Sequence, residues 1–168
     1  MLGLTQTEDA EMAAGPEPGT RRSRGELLEL PRNACLDLLA SSHFGRLVVA
    51  TPDGKPVIRP VNYAFDRPSQ SVIFRTAGGS KFHALTHAAT AAFEIDGVDE
   101  LARTGWSVII QGVPEEVVRR DELVRLDRHG LEPWVPGAEL HWMRIRARTV
   151  SGRRITLPDG AIPGGFLG

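Results

Sequence analysis

The four residues Gly78-Gly79-Ser80-Lys81 put two glycines, a hydroxyl and an ammonium group in a row. Glycine admits positive φ and lets a backbone approach a ligand closely. Ser80 can cap a helix or touch an anion, and Lys81 adds a mobile positive charge. If a helix begins here, its first N–H groups and its dipole favour the same ligand. The chemistry is that of binding a phosphate monoester. The Walker spacing GxxxxGK[ST] is missing, so this is not a nucleotide P-loop. The same letters also spell an ordinary capped helix start with its lysine in solvent, because Gly-Ser helix starts are common. Lysine is scarce in this chain: among 20 Lys and Arg residues, only Lys55 and Lys81 are lysines.

Other chemistry-bearing groups are less organised. VIRPVNY (57–63) has a proline inside a strand-like run, which leaves backbone polar groups at an edge able to bond a flat heterocycle. TGWSV (104–108) places Trp106 beside Ser107 at a strand start, as a core anchor or as a surface that meets a ligand. His83 and His87 have the i, i+4 spacing of metal ligands, but no third ligand accompanies them, and a surface or interface pair is the expectation. His43, His129 and His141 fit no constellation. Glu94, Asp96, Asp99 and Glu100 read as a solvated strand and turn. Cys35 is the single cysteine, which excludes an internal disulfide and a cysteine zinc site.

The elements that must position these groups follow from periodicity. Asn33 to Ser42 reads as a helix, with Cys35 as a small core residue. GRLVVAT (45–51), PDGK (52–55) and PVIRPVNYAF (56–65) read as strand, turn and strand, with Pro60 calling for an edge or a bulge. SVIFRTA (71–77) is a third strand and GSKFHALTHA (79–88) a helix. TAAFEIDGVDE (90–100) and GWSVIIQGVPEEV (105–117) are two more strands, the second bent at 112–114. Residues 119–130 form a charged amphipathic helix ending at Gly130, and residues 132–138 form a rigid loop. Residues 139–156 alternate, with Leu140, Trp142, Arg144 and Arg146 on one face, and so give a sixth strand. Many short strands joined by tight turns predict a mainly β (α+β) fold, a closed or partly closed antiparallel barrel with helices at its ends. No βα alternation and no GxGxxG are present.

The length of 168 residues fits one domain, and a net charge of −1 with a pI near 6.5 gives no electrostatic case for nucleic acid or an anionic membrane. No apolar run approaches a membrane span, and the N-terminus lacks the basic and apolar regions of a secretory signal. A cytoplasmic protein is the expectation. Residues 1–25 read as a disordered N-terminal tail and residues 157–168 as a C-terminal tail.

VIRPVNYAF, IFRTAGGSKFHAL, AAFEIDGVD, GWSVIIQGVPEEV and MRIRARTVSGRRI, in this order, resemble the FMN-binding split-barrel superfamily, and within it the pyridoxamine 5'-phosphate oxidase-like proteins. The resemblance implies a six-stranded antiparallel split barrel with flanking helices over residues 26–156. It implies a homodimer with FMN in grooves at the interface, for which Trp106 and Trp142 are the aromatic candidates. By that resemblance Arg59, Pro60, Val61 and Asn62 lie along the isoalloxazine ring. Phe74, Arg75 and Thr76 lie beside the ring and the ribityl chain, and Ser80 and Lys81 hold the phosphate. Trp106 and Ser107 reach the flavin from the other subunit, and Arg154 belongs to the segment that closes the site. Arg59 or Arg75 would stabilise negative charge on the reduced ring. The true oxidase has lysines where this chain has Tyr63, and its C-terminal Arg-His substrate motif is not found. The resemblance therefore implies an FMN-dependent oxidoreductase of unspecified substrate. The alternatives are a reductase using a deazaflavin coenzyme on the same fold, and a module that binds flavin or haem without turnover.

Overall fold

The computed structural model describes residues 25–51, 53–131 and 140–157. The tails expected over 1–25 and 157–168 fall, apart from Gly25 and Leu157, outside the described residues, as does the loop at 132–138. The chain begins with a strand that the sequence reading passed over, β1 (Glu26–Glu29), followed by α1 (Arg32–Ser41). β2 (Phe44–Ala50) and β3 (Pro56–Asn62) form the expected hairpin. Its turn closes through Thr51 N–H to the Lys55 carbonyl at 2.8 Å, with Gly54 at φ 81°. β4 (Ala64–Asp66), β5 (Ser71–Ala77), α2 (Ser80–His87), β6 (Ala91–Asp99) and β7 (Thr104–Gly112) come next. β8 (Pro114–Glu116), α3 (Arg120–Asp127), β9 (Leu140–Arg146) and β10 (Thr149–Thr156) complete the order.

The strands form two antiparallel sheets, one ordered β1-β10-β7-β6-β2-β3 and the other β4-β5-β9-β8. Three runs that read as single strands are each broken in two. The breaks fall at Tyr63, at Val113, and at Ala147–Arg148. At each break the chain leaves one sheet and enters the other, so the apolar alternation continues while the pairing partner changes. That is how a barrel with open seams is made from few long ribbons. One core fills the space between the sheets, with Leu47, Phe93, Ile95 and Ile110 from the larger and Phe74 and Met143 from the smaller. Proline 60 lies on β3, the edge strand of the larger sheet, as its missing N–H requires.

The helices close the remaining faces. α1 lies against β10, where Gly152 admits it: a Cβ there would come within 2.5 Å of Cys35 Sγ. Cys35 is fully buried, and burial pushes its thiol up, as befits a small core residue. α3 covers the outer face of the smaller sheet and buries Leu126 with Ile73, Val117 and Trp142. α2 touches β2 of the larger sheet and β5 and β8 of the smaller, so it straddles a seam.

Under α3 the carboxylate of Asp66 is 2 % exposed and accepts hydrogen bonds from Arg125 and Ser69, with His129 Nε2 at 3.5 Å. Burial by itself pushes this carboxyl up, but the bonds from Arg125 and Ser69 outweigh it and hold it below its ordinary value. A depressed carboxyl adds stability that is present above its unfolded value and is lost as the pH falls through the folded one. Arg125→Ala should therefore destabilise the protein at neutral pH by about 1.5–3 kcal/mol, the scale of a hydrogen bond to a charged group. The gap from wild type should narrow as the pH is lowered through the carboxylate range. Urea unfolding of both proteins at several pH values measures this, and a gap independent of pH would contradict it.

Candidate functional site

Gly78 and Gly79 connect β5 to α2. The N-cap of α2 is Gly79, at φ 121° and ψ −164°, a conformation that side chains rarely adopt. Ser80 is the first helical residue and not the cap. Gly79 has no side chain with which to bond the first-turn N–H groups, and a Cβ built there would meet nothing within 4 Å. The turn is thus a helix start whose glycine N-cap supplies no side-chain bond to the first-turn N–H groups. The side chains of Ser80 and Lys81 lie outside the described residues.

Strand register separates residues that were adjacent in sequence. Phe74 and Thr76 oppose Met143 and His141 and face the barrel interior, both buried. Arg75 opposes Trp142 and faces α3, with its guanidinium 5.2 Å from the centre of a Trp142 ring. Its Nε is buried without a hydrogen-bond partner. On β3, Arg59 and Val61 pair with Leu47 and Gly45 on the inward side, whereas Pro60 and Asn62 share the outer face with Arg46 and Phe44. Val61 is buried, Asn62 is half-buried, and Arg59 and Pro60 are exposed. Among the described residues Arg59 bonds the carbonyl of Ile58, at 3.0 Å.

Trp106 and Arg154 oppose one another across β7 and β10, both half-buried. The indole lies flat over Gly97, where a Cβ would come within 2.7 Å of it. Ser107 points the other way, between Asp96 and Arg153. β2 and β6 stand between β3 and β7, a span of about 14 Å at three strand spacings. Within one chain, then, Trp106 and Ser107 do not adjoin Arg59–Asn62.

One expectation changes. Trp142 is 5 % exposed, packed beneath α3 with its Nε1 donating to Asp127 at 3.2 Å, and is no interface anchor. The two rings of His83 and His87 are 4.1 Å apart on an exposed helix face, and no metal-binding group forms among the described residues. Tyr63 explains its own departure from the oxidase. It is fully buried, its hydroxyl donates to the Leu39 carbonyl at 2.9 Å, and it meets Phe93 edge-on. Burial pushes its phenol up, so it stays neutral and serves the core, not a substrate.

The sequence reading missed His141. It stacks on Phe82 with centroids 4.1 Å apart, and its Nδ1 lies 2.8 Å from Glu116 Oε1. The available signal was the alternation that set His141 on the face of Met143 and Ile145, toward the interior.

Two antiparallel sheets around one core, with a glycine turn at a seam, define a split-barrel protein. The chain belongs to the pyridoxamine 5'-phosphate oxidase family, whose model matches residues 31–154. It is 37 % identical to an uncharacterised protein of Mycobacterium tuberculosis over 147 residues, which cover 82 % of this chain and 94 % of that one. Among solved structures, the FAD-binding protein of Mycobacterium smegmatis is 36 % identical with a TM-score of 0.63, covering 76 % of this chain and 98 % of that one. A conserved protein of unknown function from Corynebacterium diphtheriae is 35 % identical with a TM-score of 0.66, covering 77 % and 98 %.

Proposed function

We propose that this chain is a flavin-binding protein that takes FMN, works as a homodimer and serves as an oxidoreductase. The observation that carries the reading is the glycine turn without a side-chain cap at the start of α2, in a chain 36 % identical to a FAD-binding protein. The turn suits the phosphate, with Ser80 and Lys81 as its proposed partners. The sheet-edge strand that carries Arg59, Pro60, Val61 and Asn62 suits the ring. When bound, FMN supplies hydride and electron transfer, while the protein orients it and stabilises charge. Arg59 is the better cation for negative charge on the ring, since Arg75 is turned toward Trp142 and α3.

The homodimer reading rests on the distance between β3 and β7 and on the outer face of the larger sheet. Ile58, Val48 and Ala92 form an apolar row there; the next row runs through Pro60, Arg46, Glu94 and Ile109, with Arg46 paired to Glu94 and Asp96, and exposed Phe44 lies beyond Arg46. A second copy laid on this face would bring Ser107 to the flavin of its partner, whereas Trp106 and Arg154 lie on the opposite pleat, Trp106 against the core.

The test is the absorption spectrum of the protein as purified, with mass spectrometry of the released ligand, followed by anaerobic addition of a nicotinamide donor. A yellow protein that carries FMN and bleaches is the expected result. A released deazaflavin coenzyme or haem would replace FMN in this reading, and a flavin that does not bleach would make the chain a binding module. Sedimentation should give a dimer at micromolar concentration, and a monomer would overturn the shared site.

A further inference from the structure

His141 is the second residue of β9 and lies opposite Thr76 at the end of β5. Its ring is held on two sides, by the stacked Phe82 of α2 and by Glu116 of β8. A carboxylate can only accept, so Nδ1 donates the bond of 2.8 Å to Glu116. That leaves Nε2 for whatever lies beyond the ring. No bond to Nε2 forms among the described residues, and Nε2 borders the glycine turn: a Cβ on Gly78 would stand 3.9 Å from it. Glycine at 78 keeps the space between imidazole and turn clear.

We propose that His141 is a further ligand of the cofactor's phosphate, bonding it through Nε2 from the side opposite the start of α2. The proposal rests on the flavin reading of the same turn. Its chemistry favours a phosphate monoester. A protonated Nε2 donates to a phosphate oxygen, and an unprotonated Nε2 accepts from a phosphate hydroxyl. Either form makes one charge-assisted N–O hydrogen bond. Glu116 is a positioning residue: by accepting from Nδ1 it fixes which nitrogen faces the ligand. Phe82 fixes the ring plane and, as the residue after Lys81, ties that plane to the first turn of α2.

The test is a fluorescence titration of FMN and of riboflavin, which lacks the phosphate, against wild type, His141→Ala and His141→Asn. Asparagine keeps an N–H for Glu116 where Nδ1 stood but has nothing in place of Nε2, so the link between β8 and β9 survives. Both variants should bind FMN about tenfold or more weakly, the loss of one bond to a charged group, and riboflavin as wild type does. Glu116→Gln should give a smaller loss, again for FMN alone. Equal weakening of both flavins would make the pair a structural clasp and overturn the proposal, as would unchanged FMN binding. Wild type binding neither flavin would instead remove the flavin reading itself, and this proposal with it.

Discussion

Gly112→Ala should lower the melting temperature by about 6–12 °C. Gly112 ends β7 at a corner where the chain crosses between sheets, beside the corner joining β9 to β10. A Cβ on Gly112 would lie 2.0 Å from the carbonyl oxygen of Arg146 and 3.2 Å from Ile145 Cγ2. The nearest obstacle is backbone, which cannot swing aside as a side chain would. The two corners are also tied by Arg148 N–H to the Gln111 carbonyl at 3.1 Å, so moving them apart costs this bond as well. Overpacking of this severity costs about 3 kcal/mol, and each kcal/mol shifts a domain of this size by about 2–4 °C. Gly78→Ala is the control, since its Cβ meets only His141 Nε2, at ordinary contact distance. Calorimetry of the three proteins without ligand decides the matter, and equal melting temperatures for Gly112→Ala and Gly78→Ala would refute the corner argument.

Lys81→Ala should weaken FMN binding roughly tenfold to a hundredfold, if Lys81 holds the phosphate as proposed. One charge-assisted contact is worth about 1.5–3 kcal/mol. Riboflavin should bind wild type and variant alike. Lys55 supplies the comparison: it sits on the β2–β3 turn, largely exposed and paired with Asp53 at 2.8 Å. Lys55→Ala should leave FMN affinity unchanged. Fluorescence quenching with both flavins measures all of this. Equal FMN affinity for wild type and Lys81→Ala would return residues 78–81 to an ordinary glycine turn before a helix.

What the sequence made legible was whatever depends on near neighbours. The helices at Arg32–Ser41, Ser80–His87 and Arg120–Asp127 fell where spacing put them, and the hairpin turn where Asp-Gly put it. Pro60 announced an edge because a missing N–H is a local fact. The bend at 112–114 was legible because Gly112 and Pro114 mark it locally, but the corners at Tyr63 and Ala147 were not, because inward and outward residues go on alternating while the partner strand changes. β1 escaped because Leu27 and Leu28 are both exposed, so burial writes no alternation into four residues. His141 was invisible as a site residue for a related reason. Glu116 is 25 residues away, and only the register of β8 on β9 and the docking of α2 bring it and Phe82 to the imidazole. That Arg75 and Thr76 face opposite ways follows from strand geometry alone. Which of them faces the interior is decided by the pairing of β5 with β9, a strand more than 60 residues further along the chain.

The edge strand β3 has a bearing on how copies of this chain meet. Positions 56, 58, 60 and 62 share one pleat direction, and two of the four are proline. Neither proline can donate to β2, so this row directs its nitrogens away from the hairpin, toward the open border of the sheet. A foreign strand arriving there would find every second rung of the ladder without a donor. The border is thereby closed to zipper-like extension, the route by which exposed sheets grow into fibres. Contact between copies across this border is left to side chains, which recognise one geometry and then stop.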